Sequence, residues 1–187
     1  FGIGENHDKQ AFEIFAYANM SGGDAVTERL KAHADHWRDI IGLDDAQLAG
    51  QIRADGIDVL VDLAGHTRSN RLAAFALKPA PVQISYLGYP ATTGLSQMVF
   101  RLTDPWADPP GLTEAFHAED LLRLEHGFLC YRPSDDAPEV SPPPLDENGY
   151  VTFGSFNNLA KLSPTTVRLW SEILLAVPNS KLRLKAK

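Results

Sequence analysis

The chain has 187 residues, 44% of them hydrophobic and 22% charged, a composition that fits one or two globular domains able to bury a core without staples. Its 17 Lys and Arg against 24 Asp and Glu leave a formal net charge of −7, so it lacks the basic surplus of a general nucleic-acid binder. No apolar run approaches the roughly 20 residues that span a bilayer, and the single cysteine, Cys130, excludes an internal disulfide and a thiolate metal cluster. Residues 11–18 are apolar and aromatic with partial alternation and predict a strand. The turn at 19–24 ends on Asp24, a helix N-cap, and Val26, Leu30 and Ala34 then recur at helical spacing over 25–35. Residues 36–41 predict a short strand. Asp44 or Asp45 caps a second helix, with Leu48, Ala49 and Ile52 on one face and Gly56 closing it. Residues 57–64 carry the best strand pattern in the chain. They are apolar apart from Asp58 and Asp62, which predicts a parallel sheet covered on both faces. A helix over 69–77 stops before Pro79 and Pro81. Strands follow over 82–87 and 98–103, then a proline loop over 104–111 and a short edge strand over 119–124.

Strand alternating with helix is the signature of a parallel α/β sheet of Rossmann-like type. Residues 132–149 then change character, with Pro133, Pro138, Pro142, Pro143 and Pro144 among acidic and small polar residues, the composition of a linker. After it a strand (150–156), a helix (164–176) and a strand (181–185) restart the pattern. One β-α-β unit cannot cover both faces of its sheet. Residues 150–187 therefore read as the opening of a second domain, and both chain ends read as cuts within something larger.

In open parallel sheets ligands bind beyond the carboxyl ends of the strands, and three segments lie there. The first, residues 63–70, gathers His66, Thr67, Arg68, Ser69 and Asn70 behind a buried strand. It reads either as a substrate-facing loop, with His66 as acid, base or hydrogen-bond donor, or as a plain turn in which Gly65 bends the chain and Ser69 or Asn70 caps a helix. In the second, Leu87, Gly88, Tyr89, Pro90, Ala91, Thr92, Thr93 and Gly94 combine glycines that permit close approach with hydroxyls that can hold a sugar or phosphate; a tight turn is the alternative. The third, residues 156–164, enters a helix through Ser163 and Pro164, with Asn158 and Lys161 beside the helix start. That arrangement favours a pyrophosphate, although a capped helix with a solvated lysine would look the same. Neither a G-x-G-x-x-G nor a G-x-x-x-x-G-K-[ST] pattern occurs, which argues against a nicotinamide-dependent oxidoreductase. His33 and His36 lack a third metal ligand nearby in sequence, Asp104 and Asp108 read as turn residues, Cys130 as a buried thiol, and Trp37, Trp106 and Trp170 as packing.

Residues 62–94 (DLAGHTRSNRLAAFALKPAPVQISYLGYPATTG) and 153–185 (FGSFNNLAKLSPTTVRLWSEILLAVPNSKLRLK) carry K-P-A-P-V-Q, L-G-Y-P-x-T-T-G and F-N-N-L-x-K. In that combination the chain resembles the catalytic region of the O-GlcNAc transferase and SPINDLY family, in its bacterial branch. The resemblance covers at least residues 55–187 and extends toward residue 10. It implies a two-lobed, inverting GT-B glycosyltransferase that moves a sugar from a nucleotide donor, typically UDP-GlcNAc, to Ser or Thr of proteins without a metal. It further implies tetratricopeptide repeats upstream, a C-terminal lobe downstream, a cytoplasmic location, and protein or peptide acceptors as partners, with no nucleic acid or membrane. Residues 1–131 would be most of the first lobe, 132–149 the passage between lobes, and 150–187 the start of the nucleotide-binding lobe. Lys161 matches the lysine that steadies the leaving UDP, Asn158 a neighbouring donor-facing amide, and Leu87, Gly88, Tyr89 and Pro90 a loop lining the sugar pocket, with Thr92 and Thr93 beside it. Asp55 matches an aspartate placed on a proton path, although its own position is the amino end of a strand. The family's His-Pro motif is missing, and His7 does not replace it. Other donors (fucose or glucose), Asn acceptors and a non-catalytic protein-binding module are the alternatives.

Overall fold

The computed structural model describes residues 2–133 and 136–185. The chain divides into two compact units, residues 1–132 and 133–187.

The first unit opens with a five-residue helix, α1 (Gly2–Asn6), and then alternates strand and helix: β1 (Phe15–Ala18), α2 (Ala25–His33), β2 (His36–Asp39), α3 (Asp45–Ala54), β3 (Val59–Asp62), α4 (Leu72–Ala76), β4 (Val82–Ser85), β5 (Phe100–Thr103) and β6 (Asp120–Arg123). Strands β1 and β2 pair in parallel, and β3-β4-β5-β6 form a second parallel sheet in that order. The α/β class with parallel strands is therefore the observed one. Both long helices start at capping boxes. Asp24 accepts from the Thr27 N–H at 2.9 Å, and Asp44 accepts from the Gln47 N–H at 2.8 Å. Each satisfies a backbone donor that the first helical turn would otherwise leave unpaired. The face of α3 predicted from spacing is the buried one, with Leu48, Ala49 and Ile52 at most 2% exposed. Leu48 and Ile52 meet Ile40, Leu60, Leu72, Phe75 and Met98 in one apolar cluster, and Tyr17 packs against it.

Two sequence expectations change. The helix over 69–77 shrinks to Leu72–Ala76, because Ser69 takes φ +62 and the Thr67 and Asn70 amides bond back to Ala64 and Thr67. The Asn70 side chain still accepts from the Leu72 N–H at 3.2 Å. Strand β3 is covered on one face only: Leu60 and Asp62 are buried, whereas Val59, Val61 and Leu63 are 50%, 41% and 61% exposed. A continuous apolar run records what both faces can tolerate, not what covers them. The face shared with Leu60 is instead unusually polar, with Gln83, Ser85, Arg101 and Thr103 all buried in β4 and β5. Such groups are admissible only with partners; the Gln83 amide donates to the Phe75 and Gln97 carbonyls.

In the second unit a short helix, α5 (Pro144–Asn148), interrupts the proline-rich stretch and ends at Gly149 with φ +69. Strands β7 (Thr152–Ser155) and β8 (Lys181–Leu184) pair in parallel, with α6 (Pro164–Ala176) between them in sequence.

Candidate active site

Strand β3 ends in a tight bend made by its own last residue. The buried Asp62 carboxylate accepts from the Ala64 N–H at 3.1 Å and the Gly65 N–H at 2.8 Å, which turns the chain sharply and aims residues 63–66 across the end of β4. There they interlock with the loop after β4. A Cβ on Gly65 would lie 2.2 Å from Tyr89 Cβ, and a Cβ on Gly88 would lie 1.9 Å from the Leu63 carbonyl oxygen. Both positions exclude any side chain, so each glycine is the recess into which the other loop fits. Between them Leu87 holds φ +64 while the Gly88 N–H donates to the Tyr86 carbonyl at 2.8 Å, a three-residue turn that is strained for a branched residue. Strain of this kind persists only where surrounding contacts over-determine the backbone.

His66 Nε2 donates to the Thr93 carbonyl at 3.0 Å, and its ring meets Tyr89 edge-on at 5.4 Å. A carbonyl only accepts, so Nε2 carries a proton. Leu87, Gly88 and Pro90 are exposed and Tyr89 is half-buried. The two threonines behave differently. Thr92 Oγ1 donates to Glu119 Oε2 at 2.7 Å and accepts from the Gly94 and Ala118 N–H groups, which uses all of a hydroxyl's capacity. Thr93 is 4% exposed, and its N–H and hydroxyl both donate to Glu119. Both hydroxyls thus help to hold the loop.

Asp55 lies at the end of α3, before β3. Its carboxylate takes Arg38 Nη2 at 3.0 Å, Arg38 Nε at 3.3 Å, Tyr17 OH at 2.8 Å and Gln51 Nε2 at 3.1 Å. Burial alone would raise its pKa, but these hydrogen bonds together hold it below the usual carboxylate range. Four donors on four lone-pair sites make Asp55 a tie between β1, β2 and α3 rather than a proton relay. His33 and His36 do not converge either: His33 Nε2 lies 3.6 Å from Glu5, and His36 bonds Glu13 at 2.6 Å and stacks on Phe15. Cys130 is exposed, not buried.

In the second unit, Asn158 caps a short 3₁₀ turn (Leu159–Lys161) by accepting from the Ala160 N–H at 3.0 Å, which leaves its Nδ2 donors as what it can offer a ligand. Lys161 is exposed at the end of that turn. Ser163 then caps α6 through the Thr166 N–H at 3.1 Å, with Pro164 at the first helical position. A largely apolar cavity of ≈ 340 Å³ lies beside the end of β7, lined among others by Phe156, Asn157 and Trp170.

Two anchors of the 87–94 loop were not singled out from the sequence: Arg101 and Glu119. Arg101 betrays itself by parity. It stands between Phe100 and Leu102 in a strand, and strand alternation sends it to the face opposite theirs, the buried one.

Comparison with known proteins places these features. The model of glycosyl transferase family 41 matches residues 2–132. The chain is 46% identical over 186 residues to the probable UDP-N-acetylglucosamine–peptide N-acetylglucosaminyltransferase SPINDLY of Oryza sativa subsp. japonica, covering 97% of this chain and 20% of that protein. It is 33% identical over 192 residues to the protein named SEC of Arabidopsis thaliana, a probable enzyme of the same description, covering 95% and 19%. Among solved structures, the K341M mutant of Thermobaculum terrenum O-GlcNAc transferase superposes with a TM-score of 0.92 at 42% identity, over 99% of this chain and 35% of that one. The chain thus spans about a fifth of the length of those curated relatives, at 20% and 19%.

Proposed function

Because the chain belongs to glycosyl transferase family 41, we propose that it is part of an inverting GT-B transferase that moves GlcNAc from UDP-GlcNAc to Ser and Thr hydroxyls of proteins. The observation that carries this reading is the interlocked pair of loops at the carboxyl ends of β3 and β4, where a strained, over-determined backbone exposes Leu87, Gly88 and Pro90 beside His66. The first unit would be most of the N-terminal lobe, 132–149 the passage between lobes, and 150–187 the first β-α-β of the nucleotide lobe. The remainder of that lobe, with tetratricopeptide repeats ahead of the catalytic region, would complete a cytoplasmic enzyme.

In this reading the acceptor oxygen attacks the anomeric carbon as the C–O bond to UDP breaks, and negative charge builds on the departing diphosphate. Lys161 and the Nδ2 donors of Asn158 meet that charge, and the α6 N-terminus adds its dipole, so no metal is needed. Residues 87–90 seat the sugar, and orientation against the acceptor supplies the other large term. His66, at the end of β3, is the candidate acid, base or hydrogen-bond donor. The decisive test uses the complete protein with a peptide acceptor and three donors: UDP-GlcNAc, UDP-glucose and GDP-fucose. Transfer from UDP-GlcNAc to Ser or Thr is expected. Transfer from another donor alone would replace the donor, and glycosylation of Asn would replace the acceptor. Lys161→Ala should lower turnover by roughly 10²–10³, the usual effect of losing one charge-stabilising donor, with a smaller loss of donor affinity. Unchanged turnover would remove Lys161 from the reaction.

A further inference from the structure

The 87–94 loop contains no helix or strand, yet it is fixed from beneath by two buried ionic side chains. Arg101 Nη1 donates to the Tyr89 carbonyl at 2.9 Å and to the Ala91 carbonyl at 3.2 Å. Glu119, whose side chain is 0% exposed, accepts from Thr92 Oγ1 at 2.7 Å, from the Thr93 N–H at 2.7 Å and from the Thr93 hydroxyl. The two anchors are joined under the loop. Asp108 lies 3.8 Å from Arg101 Nε, and His117 lies 3.3 Å from Asp108 and 4.0 Å from Glu119.

A neutral acceptor would suffice to stop an ordinary turn. A fully buried carboxylate is a costly choice unless hydrogen-bonded, and in return its charge-assisted bonds are about twice as strong as neutral ones. Burial raises the Glu119 pKa, yet the bonds from Thr93 and Thr92 together bring it below the usual range, so the carboxylate is the form the loop selects. Thr93 also extends the effect. Its N–H is held by Glu119 while its carbonyl receives His66 Nε2, so one peptide segment links the buried acid to the exposed imidazole.

We propose that Glu119 is a positioning residue for the transfer reaction: through Thr92 and Thr93 it sets the placement of the sugar-facing residues 87–90 and of the His66 ring. The inference rests on the transferase reading, so its test has one arm that needs no transfer. In this chain, hydrogen exchange of the Thr93 amide should quicken at least ten-fold in Glu119→Ala while the β3 and β4 amides keep their protection, and Glu119→Gln, which retains one acceptor oxygen but loses the charge and the second acceptor, should fall between the alanine variant and the parent. In the complete protein Glu119→Ala should lower kcat by roughly 10², the scale expected for a misplacement of about 1 Å. The KM for the nucleotide sugar should move less than about three-fold, because a misplaced loop alters orientation more than donor binding. Glu119→Gln, with one acceptor oxygen left, should recover part of kcat. Unchanged Thr93 exchange in Glu119→Ala, loss of protection across β3 and β4 as well, an unchanged kcat, or a glutamine variant as poor as the alanine one would each overturn the proposal. Should the alanine variant fail to fold, Thr93→Val replaces it; it keeps the backbone bond to Glu119, removes the hydroxyl's bonds to Glu119 and from the Leu95 N–H, and should lower kcat several-fold, and full activity there would overturn the proposal equally. If the parent protein transfers no sugar from any donor, the transferase reading fails, and the exchange arm still decides whether Glu119 anchors the loop.

Discussion

Gly65 and Gly88 show how a single hydrogen in place of a side chain decides a loop–loop fit. Substituting alanine at Gly88 drives a methyl group into the Leu63 carbonyl, which belongs to backbone and cannot swing aside as a flexible side chain would. The expected cost is about 2–3 kcal/mol, at the upper end for overpacking. Gly94 is the control: its φ is +71, a strain that Gly88 does not carry, but nothing lies within 4 Å of its added Cβ, so alanine there should cost only about 1 kcal/mol, the left-handed backbone penalty. Urea denaturation of the two variants measures the difference, and equal losses would mean that the interlock contributes nothing. The glycines were legible as glycines in a strand-end loop. Their partners were not, because a recess is defined by the residue that fills it, 23 or more positions away in sequence for Gly65 and Tyr89 or Leu63 and Gly88. Asp55 teaches the converse. Its match to a proton-path aspartate is a statement about sequence position, whereas its four donors come from Tyr17, Arg38 and Gln51 on three separate elements.

At the scale of elements, helices obey local rules and strand coverage does not. Asp24 and Asp44 cap where the spacing placed them, and the Leu48, Ala49 and Ile52 face is buried because a period of 3.6 residues can bury only one stripe. Asp44→Ala should therefore cost about 1 kcal/mol, and Leu48→Ala, which opens a cavity at the centre of the apolar cluster, about 2–5 kcal/mol. Equilibrium unfolding monitored by circular dichroism separates the two, and a cap loss as large as the core loss would show that α3 is held by its end rather than its face. Strand β3 follows no such local rule. Its valines suit burial on either side, and the structure leaves Val59 and Val61 partly in solvent.

On the scale of the whole chain the two units differ in how much they bury. The apolar cluster belongs to the first unit. No described residue of the second is fully buried, as expected when one helix faces a two-stranded sheet. Native-state hydrogen exchange should therefore find the β7, β8 and α6 amides exchanging through local opening, at least about 100-fold faster than those of β3 and β4. Equal protection in both units would show that residues 133–187 carry stability that their own burial does not supply.

By itself the linear order of residues determined the alternation of strand and helix, the caps, the buried stripe of α3, and the motif combination that marks family 41. All of these depend on spacings within about a dozen residues, where periodicity and backbone donors act directly. The tertiary structure alone decided which side of the sheet is polar, that Thr92 and Thr93 serve Glu119, that Asp55 is a four-donor tie, and that Arg101 in β5 and Glu119, just ahead of β6, reach the same loop. Those outcomes depend on partners brought together by strand register, and a buried charge is tolerable only where register delivers its donors.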